Sequence, residues 1–343
     1  MPLIPDNDQH LAQILAGTSG RNRGHAFEKQ LTAELNCGLW AGAVGVFSPL
    51  VLPLDPPTKN ITNGRPSEEL LRFILGSNAL SVVTRIKASW LGGLATSGLG
   101  DRVLDDNGQP IRRSKSDILV EITSNDAKTQ SGVSVKICNN VASTNAQLFF
   151  TTAVAFCGLL RNRGLEVSLD AEAALRMFCG DVGFRPRDDV ATPASRKSDP
   201  DRWFWEELPR LKRNALEDLF SRHQRVITLV LLKYAYLADA YPPDFLIHQM
   251  WRAEDPTRAD LAIYEIDDLV EQSMRYKGFE LREYIIRKGR FKTDTLGHLA
   301  PRFGIVQFQR GGQKQHPTQL QFNLQASYFL KLATAAAGPI EPL

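Results

Sequence analysis

Two stretches of the chain alternate apolar and polar residues with a period of two. They are Ser116 to Ile122 (SDILVEI) and Gly132 to Cys138 (GVSVKIC). Successive strand side chains point to opposite faces, so each reads as a strand with one wet face. Thr123 to Ser131 is polar turn sequence between them, so the two strands are expected to pair antiparallel. In the first strand Asp117, Leu119 and Glu121 share a face; in the second, Ser134, Lys136 and Cys138 do. If those faces coincide, Asp117 and Lys136 point to the same side of one sheet.

Elsewhere the apolar spacing is helical or broken by turn residues. After a polar lead-in over residues 1 to 20, His25 to Leu35 puts Phe27, Leu31 and Leu35 on one stripe. Residues 48 to 66, rich in proline and holding Asn63-Gly64, read as a loop. Ser67 is placed to cap a helix running to about Leu75. Asp106-Asn107-Gly108 predicts a tight hairpin, since Asn-Gly favours the positive φ angles of that turn. The run from Asn145 to Leu160 predicts an apolar helix with Gln147 near its start. Glu206 to Asp239 and Ile266 to Arg275 predict further helix, and Phe279 to Ile286 fits either type. Ile305 to Gln309 and Gln319 to Leu324 are strand-like and joined by RGGQKQHP, a hairpin. Residues 186–202 are charged and proline-rich, which predicts an exposed linker between a core over 20–185 and a C-terminal region over 203–343.

Composition narrows the class. The 343 residues, 43% hydrophobic and 23% charged, can bury a full core. A net charge of +3 does not by itself point to a polyanionic partner. The basic residues come in clusters, however, such as Arg112/Arg113/Lys115 and Arg287/Lys288/Arg290/Lys292. These build local positive potential, or are simply solvated faces. Four dispersed cysteines without a CxxC suit a reducing compartment. The N-terminus lacks the pattern of a signal peptide, and no apolar window is long enough to span a bilayer, so the expectation is a cytoplasmic protein with no membrane partner. Six scattered histidines with no HxxxH or HxH argue against zinc, and the lack of Walker A, GxGxxG or GxSxG patterns argues against a nucleotide cofactor or serine hydrolase.

An aspartate beside a lysine on a sheet rim suits metal-assisted phosphodiester cleavage. The carboxylate holds a hard divalent cation, and the lysine orients water and offsets developing negative charge. An ion pair on a solvated strand face is the plainer reading. In the order of its elements the chain resembles the PD-(D/E)XK nucleases, and more narrowly type II restriction endonucleases. The residues that carry the resemblance are Ser116-Asp117, Ser134-Val135-Lys136, the helix segment GRNRGHAFEKQL with Glu28, and the C-terminal FGIVQFQRGG…QLQFNL. Together they cover about a fifth of the chain.

The resemblance implies an α/β fold with a restriction-endonuclease-like core, a mixed central sheet flanked by helices, followed by a helical and β-hairpin C-terminal part. It implies a Mg²⁺-dependent enzyme that cuts double-stranded DNA at specific sequences, as a homodimer. Asp117 would bind metal, Lys136 would position the attacking water, Glu28 would complete the metal shell, and the Val135 carbonyl would face the metal. The chain departs from the family at Ser134, which stands where a second acid is usual. Ser134 is then either a tolerated small residue or a hydrogen-bonding placeholder, and the missing acid is Glu28 or Glu121. Gln147 matches a glutamine that some relatives carry after the lysine. The alternatives are a structure-specific or repair nuclease of the same superfamily, and a non-catalytic DNA-binding protein with a degenerate site.

For recognition, glutamine and arginine are the side chains that pair bidentately with base edges, and a two-stranded ribbon fits the major groove. Gln307, Gln309, Arg310 and Lys314 crowd the C-terminal hairpin, while Lys288, Arg290 and Lys292 suit phosphate contacts. A solvated polar hairpin is the plainer reading here too.

Overall fold

A computed structural model describes residues 8–37, 50–54, 65–80, 83–94, 98–124, 127–137, 145–186, 201–251, 259–276, 278–285, 297–310 and 318–325. The fold is mixed α/β, with two sheets. The first has six strands in the order β1 (Leu50–Leu54), β7 (Ala259–Glu265), β6 (Phe245–Trp251), β4 (Ala127–Ile137), β3 (Ile118–Ser124) and β2 (Arg85–Trp90). Its pairs are antiparallel except β4 with β6, which run parallel.

Alternation decides how this sheet packs. Ile118, Val120 and Ile122 of β3, Val133 and Val135 of β4, and Phe245 and Ile247 of β6 face one way. They bury against α1 (Asp8–Cys37) and α2 (Arg65–Ser77) through Phe27, Leu31, Leu35, Leu70 and Phe73. The first helix was placed after the polar lead-in, yet α1 reaches back to Asp8 and spans thirty residues. Its first half is largely exposed, so it carries no apolar stripe for sequence reading to find. Ser67 lies inside the first turn of α2 rather than before it, and its hydroxyl donates to Glu34 Oε2 of α1 at 2.9 Å. At the sheet edge, Asn36 of α1 accepts from the Ala88 N–H at 2.8 Å and donates to the Ala88 carbonyl at 2.9 Å. A side-chain amide thus occupies the free edge of β2 as a neighbouring strand would, and fixes the helix against it.

The second sheet is antiparallel throughout, in the order β5 (Asn145–Thr152), β11 (Gln319–Gln325), β10 (Val306–Arg310), β9 (Gly297–Phe303), β8 (Phe279–Ile285). The stretch expected to be one helix from Asn145 is therefore strand β5, and helix α3 begins only at Ala153. Thr152 caps it, its hydroxyl accepting from the Ala155 N–H at 3.2 Å. A short apolar run is ambiguous between strand and buried helix, and here the Phe-Phe-Thr-Thr enrichment in β-formers decides. Helices α3 (Ala153–Asn162), α4 (Leu169–Cys179), α5 (Arg210–Arg222) and α6 (Gln224–Leu232) cover this sheet, and Phe308 of β10 packs at 4.8 Å from Phe220 and 5.5 Å from Trp205. A further helix, α7 (Ile266–Ser273), follows β7 directly.

Strands cross the expected division at 186–202 in both directions. β5 joins the sheet of β8 to β11, while β6 and β7 join the sheet of β2 to β4. The proposed core over 20–185 and region over 203–343 are thus interleaved, because strand pairing is non-local and composition does not register it. Residues 187–200 of the expected linker lie outside the described residues. The C-terminal hairpin forms as expected, with Phe308 opposite Phe322. So does the Asp-Asn-Gly turn, where Asp105 Oδ1 accepts from the N–H groups of Asn107 and Gln109, and Gly108 takes φ +74°. No helix among the described residues is long and apolar enough to cross a membrane.

Candidate active site

The β3–β4 register carries Asp117 and Lys136 to one place. Ile118 pairs with Val133, so Asp117 comes opposite Ser134 one step further. β3 ends there, while β4 continues to Ile137. The Val135 N–H therefore has no ladder partner on that side. The Asp117 carboxylate takes its place: Oδ2 accepts from Val135 N at 2.6 Å and from Ser134 Oγ at 3.3 Å. Lys136 Nζ lies 3.3 Å from the same oxygen and donates to the Val135 carbonyl at 3.0 Å. Both charged side chains keep some solvent access, at 15% for Lys136 and 20% for Asp117. Ser134 is fully buried and serves as a hydrogen-bond donor to the aspartate.

Glu28 reaches this cluster from α1. It is 6% exposed, and its Oε2 accepts from the Trp90 indole N–H at 2.8 Å. Burial, and then the Asp117 charge, push its carboxyl up to about 8. Burial and a neighbouring negative charge both disfavour the ionised form. The turn after β2 makes the space: the Leu91 and Gly92 N–H groups both donate to the Asp117 carbonyl, at 2.8 and 2.9 Å. A Cβ on Gly92 would stand 1.9 Å from Glu28 Oε2 and 2.9 Å from Trp90 Nε1. Gly92→Ala is expected to break the indole–carboxylate bond, at a cost of about 1–3 kcal/mol. It should lower the melting temperature and any activity that depends on Glu28. An alanine variant that melts and acts like the wild type would remove Glu28 from this site.

Glu121, the other candidate acid, is engaged elsewhere. It is four residues, roughly 13 Å of strand, from Asp117. Its carboxylate is bound by Lys87 at 2.8 Å, Lys128 at 2.9 Å and Gln130 at 3.0 Å. Those donors outweigh its burial and lower its carboxyl to about 2. It stabilises the strand rather than joining Asp117.

Several groups were not legible in the sequence. Lys115, two residues before Asp117, is 8% exposed, and its ammonium donates to the Leu148 carbonyl of β5. Burial, then the Lys136 charge, lower it to about 7. His248 sits opposite Lys136 in the β4–β6 register, and burial and that charge drop it to about 3. Tyr236 is raised by burial and by Asp117, and its ring packs edge-on to Phe149 at 6.4 Å. His25 lies edge-on to Trp90 at 5.5 Å, lowered by burial and by Arg21. Strand pairing across more than a hundred residues brings His248 to Lys136, and the burial of Lys115 and His25 comes from packing that their local sequence does not display.

The recognition candidates divide. Gln309 is exposed and donates to Gln321 across the hairpin at 3.2 Å, and Gln307 is half-buried beside it. Arg310 points inward instead: its guanidinium lies 4.4 Å from the Phe204 ring and 5.2 Å from Phe178, and it donates to the Trp203 carbonyl at 3.0 Å. It braces the hairpin on the helices. Gln147 is exposed on β5, opposite Asn323, and so belongs to the second sheet rather than to a helix start after Lys136. Lys288, Arg290, Lys292 and Lys314 lie outside the described residues.

Among the described residues no cluster of three or more His, Cys, Asp or Glu side chains could hold a metal ion. The possible oxygen donors are two carboxylates, Asp117 and Glu28, and the Val135 carbonyl. All are hard, and Mg²⁺ needs no more than one or two carboxylates because it keeps several waters. The donor set thus fits a hard divalent cation. A scan against models of known protein families finds no match to this chain, and a search of curated proteins finds none either.

Proposed function

We propose that the protein is a Mg²⁺-dependent endonuclease that hydrolyses phosphodiester bonds of double-stranded DNA at specific sequences, as type II restriction enzymes do. The observation that carries this reading is the Asp117–Lys136 pair closed around the Val135 backbone, with Glu28 buried beside it. Asp117, Glu28 and the Val135 carbonyl would hold the cation. When bound, it supplies positive charge against the phosphate and Lewis acidity. Lys136 has three N–H donors. Two point at Asp117 Oδ2 and the Val135 carbonyl, and the third is left for the attacking water. Its charge then offsets the negative charge that grows on the phosphate oxygens. Gln307 and Gln309 on the hairpin, with Gln147 on the same sheet, are the candidate base-reading side chains. Cutting both strands calls for two such sites, hence two copies of the chain on a two-fold symmetric sequence.

The test is to incubate the purified protein with plasmid DNA in Mg²⁺ or in EDTA. Discrete fragments that need Mg²⁺ are expected. Cutting confined to branched or damaged DNA would favour a repair nuclease. Retardation of DNA without cleavage under any divalent cation would leave a non-catalytic DNA-binding protein and end the enzyme reading.

A further inference from the structure

Strand β5 pairs with β11 in a register that skips one residue. Phe322 faces Phe149 and Asn323 faces Gln147, so Leu148 lies opposite no residue. That is a β-bulge, in which the extra residue leaves the ladder and its backbone groups need other partners. The Leu148 carbonyl finds the Lys115 ammonium. Lys115 is itself fixed at its other end, where its backbone N–H donates to Asp239 Oδ2 at 2.6 Å, and its ammonium lies 5.8 Å from the Phe149 ring. A lysine with 8% exposure is uncommon unless its charge has a partner. Here the partner is the carbonyl of the bulged residue itself.

The position of this contact matters. On one side of it is Asp117, two residues along the chain. On the other is β5, hydrogen-bonded to β11, which pairs in turn with β10 and its exposed Gln309. We propose that Lys115 is a positioning residue that locks the bulge at Leu148 onto the strand end bearing Asp117, so that DNA gripped by the β5–β11–β10 surface is held in register with the cleavage site. This rests on the nuclease reading. Lys115 touches neither the phosphate nor the cation in this scheme. Its removal therefore leaves binding intact and misaligns the bound DNA.

The experiment compares wild type, Lys115→Met and Lys115→Arg on plasmid DNA. It measures kcat and KM in Mg²⁺, the dissociation constant in EDTA, and backbone amide exchange by mass spectrometry. Methionine is expected to lower kcat at least tenfold, with KM and the EDTA dissociation constant within twofold of wild type. Amide exchange should rise in 116–124 and 145–152 together. Arginine keeps a buried donor and should recover at least a third of wild-type kcat. A methionine variant that cuts within twofold of wild type overturns the lock while leaving the nuclease reading in place. So does unchanged exchange in 145–152. If wild type cuts no DNA, the nuclease reading falls and with it the catalytic role of Lys115; joint exchange in the two segments would then report a lock of the fold only. If the methionine variant does not fold, arginine decides: near-normal kcat with normal exchange supports the lock, and a tenfold loss with normal exchange overturns it.

Discussion

Asp117→Asn is expected to reduce Mg²⁺-dependent cleavage by roughly 10³-fold, equivalent to about 4 kcal/mol of transition-state stabilisation. Asparagine is isosteric, and its side-chain oxygen can still accept from the Val135 N–H, which now donates to the aspartate at 2.6 Å. The strand end should therefore keep its shape while the anionic charge is lost. Lys136→Met should lose a similar factor, because it removes the donor that orients the water and the charge that faces the phosphate. The two groups share one oxygen at 3.3 Å. Residues that act as a unit are not additive, so the double variant should be hardly slower than the worse single variant. Single-turnover cleavage in Mg²⁺ measures the loss, and DNA retardation in EDTA checks that binding survives. If Asp117→Asn cuts at the wild-type rate, the ion pair is a structural feature of the sheet and the catalytic assignment fails.

Glu28→Gln is expected to change the dependence of stability on pH as well as abolish cleavage. The Glu28 carboxyl ordinarily titrates near 4.5, and in the folded protein burial and Asp117 raise it to about 8. The folded state thus binds a proton that the unfolded state has released between those values. The sign follows: the favourable contribution is complete below about 4.5 and is lost as pH rises through about 8. The loss over that window is on the order of 5 kcal/mol. Glutamine carries no proton to release and its amide oxygen still accepts from the Trp90 indole. The variant should melt above wild type at pH 9 and near it at pH 5. Mg²⁺ should oppose the wild-type loss, since a cation binds the carboxylate and displaces the proton. Its stabilisation should grow with pH in the wild type and be smaller and independent of pH over that window in Glu28→Gln. Melting curves at pH 5, 7 and 9, with Mg²⁺ and with EDTA, measure both effects. Parallel curves for the two proteins across that range would show that Glu28 is not a buried acid of this site.

How much of this could be read from the chain depends on how far apart in sequence the partners lie. The pairing of Asp117 with Lys136 was legible because both sit on neighbouring strands joined by a short turn, where a period of two fixes the faces. β4 proved longer and the turn shorter than polarity suggested, since Ala127 to Ser131 is polar yet paired, while β3 keeps the expected length two residues further on. The C-terminal hairpin was legible for the same reason, through the alternation of QLQFNLQ. Glu28 was marked only by resemblance, because one carboxylate on a helix looks like any other. The strand nature of Asn145 to Thr152 was missed because the apolar residues from Ala153 on made strand and helix read as one element. Strands β2, β6 and β7 left no expectation, and β6 is what places Lys136 in mid-sheet. Arg310 shows the converse: a residue type suited to reading guanine is spent on two aromatic rings inside the protein.

The interleaving of the two sheets also bears on how the molecule is made. β4 must wait more than a hundred residues for its parallel neighbour, Val133 meeting Phe245. β5 waits longer still for β11, at the far end of the described chain. Such distant closures cost entropy before any contact repays it, and they slow folding. A nascent or truncated chain can form the β3–β4 hairpin, with Asp117 and Lys136 already adjacent. It cannot form the surface that would hold a duplex against them. Any property that needs both sheets would then appear only after β11 has been made, all at once rather than by degrees.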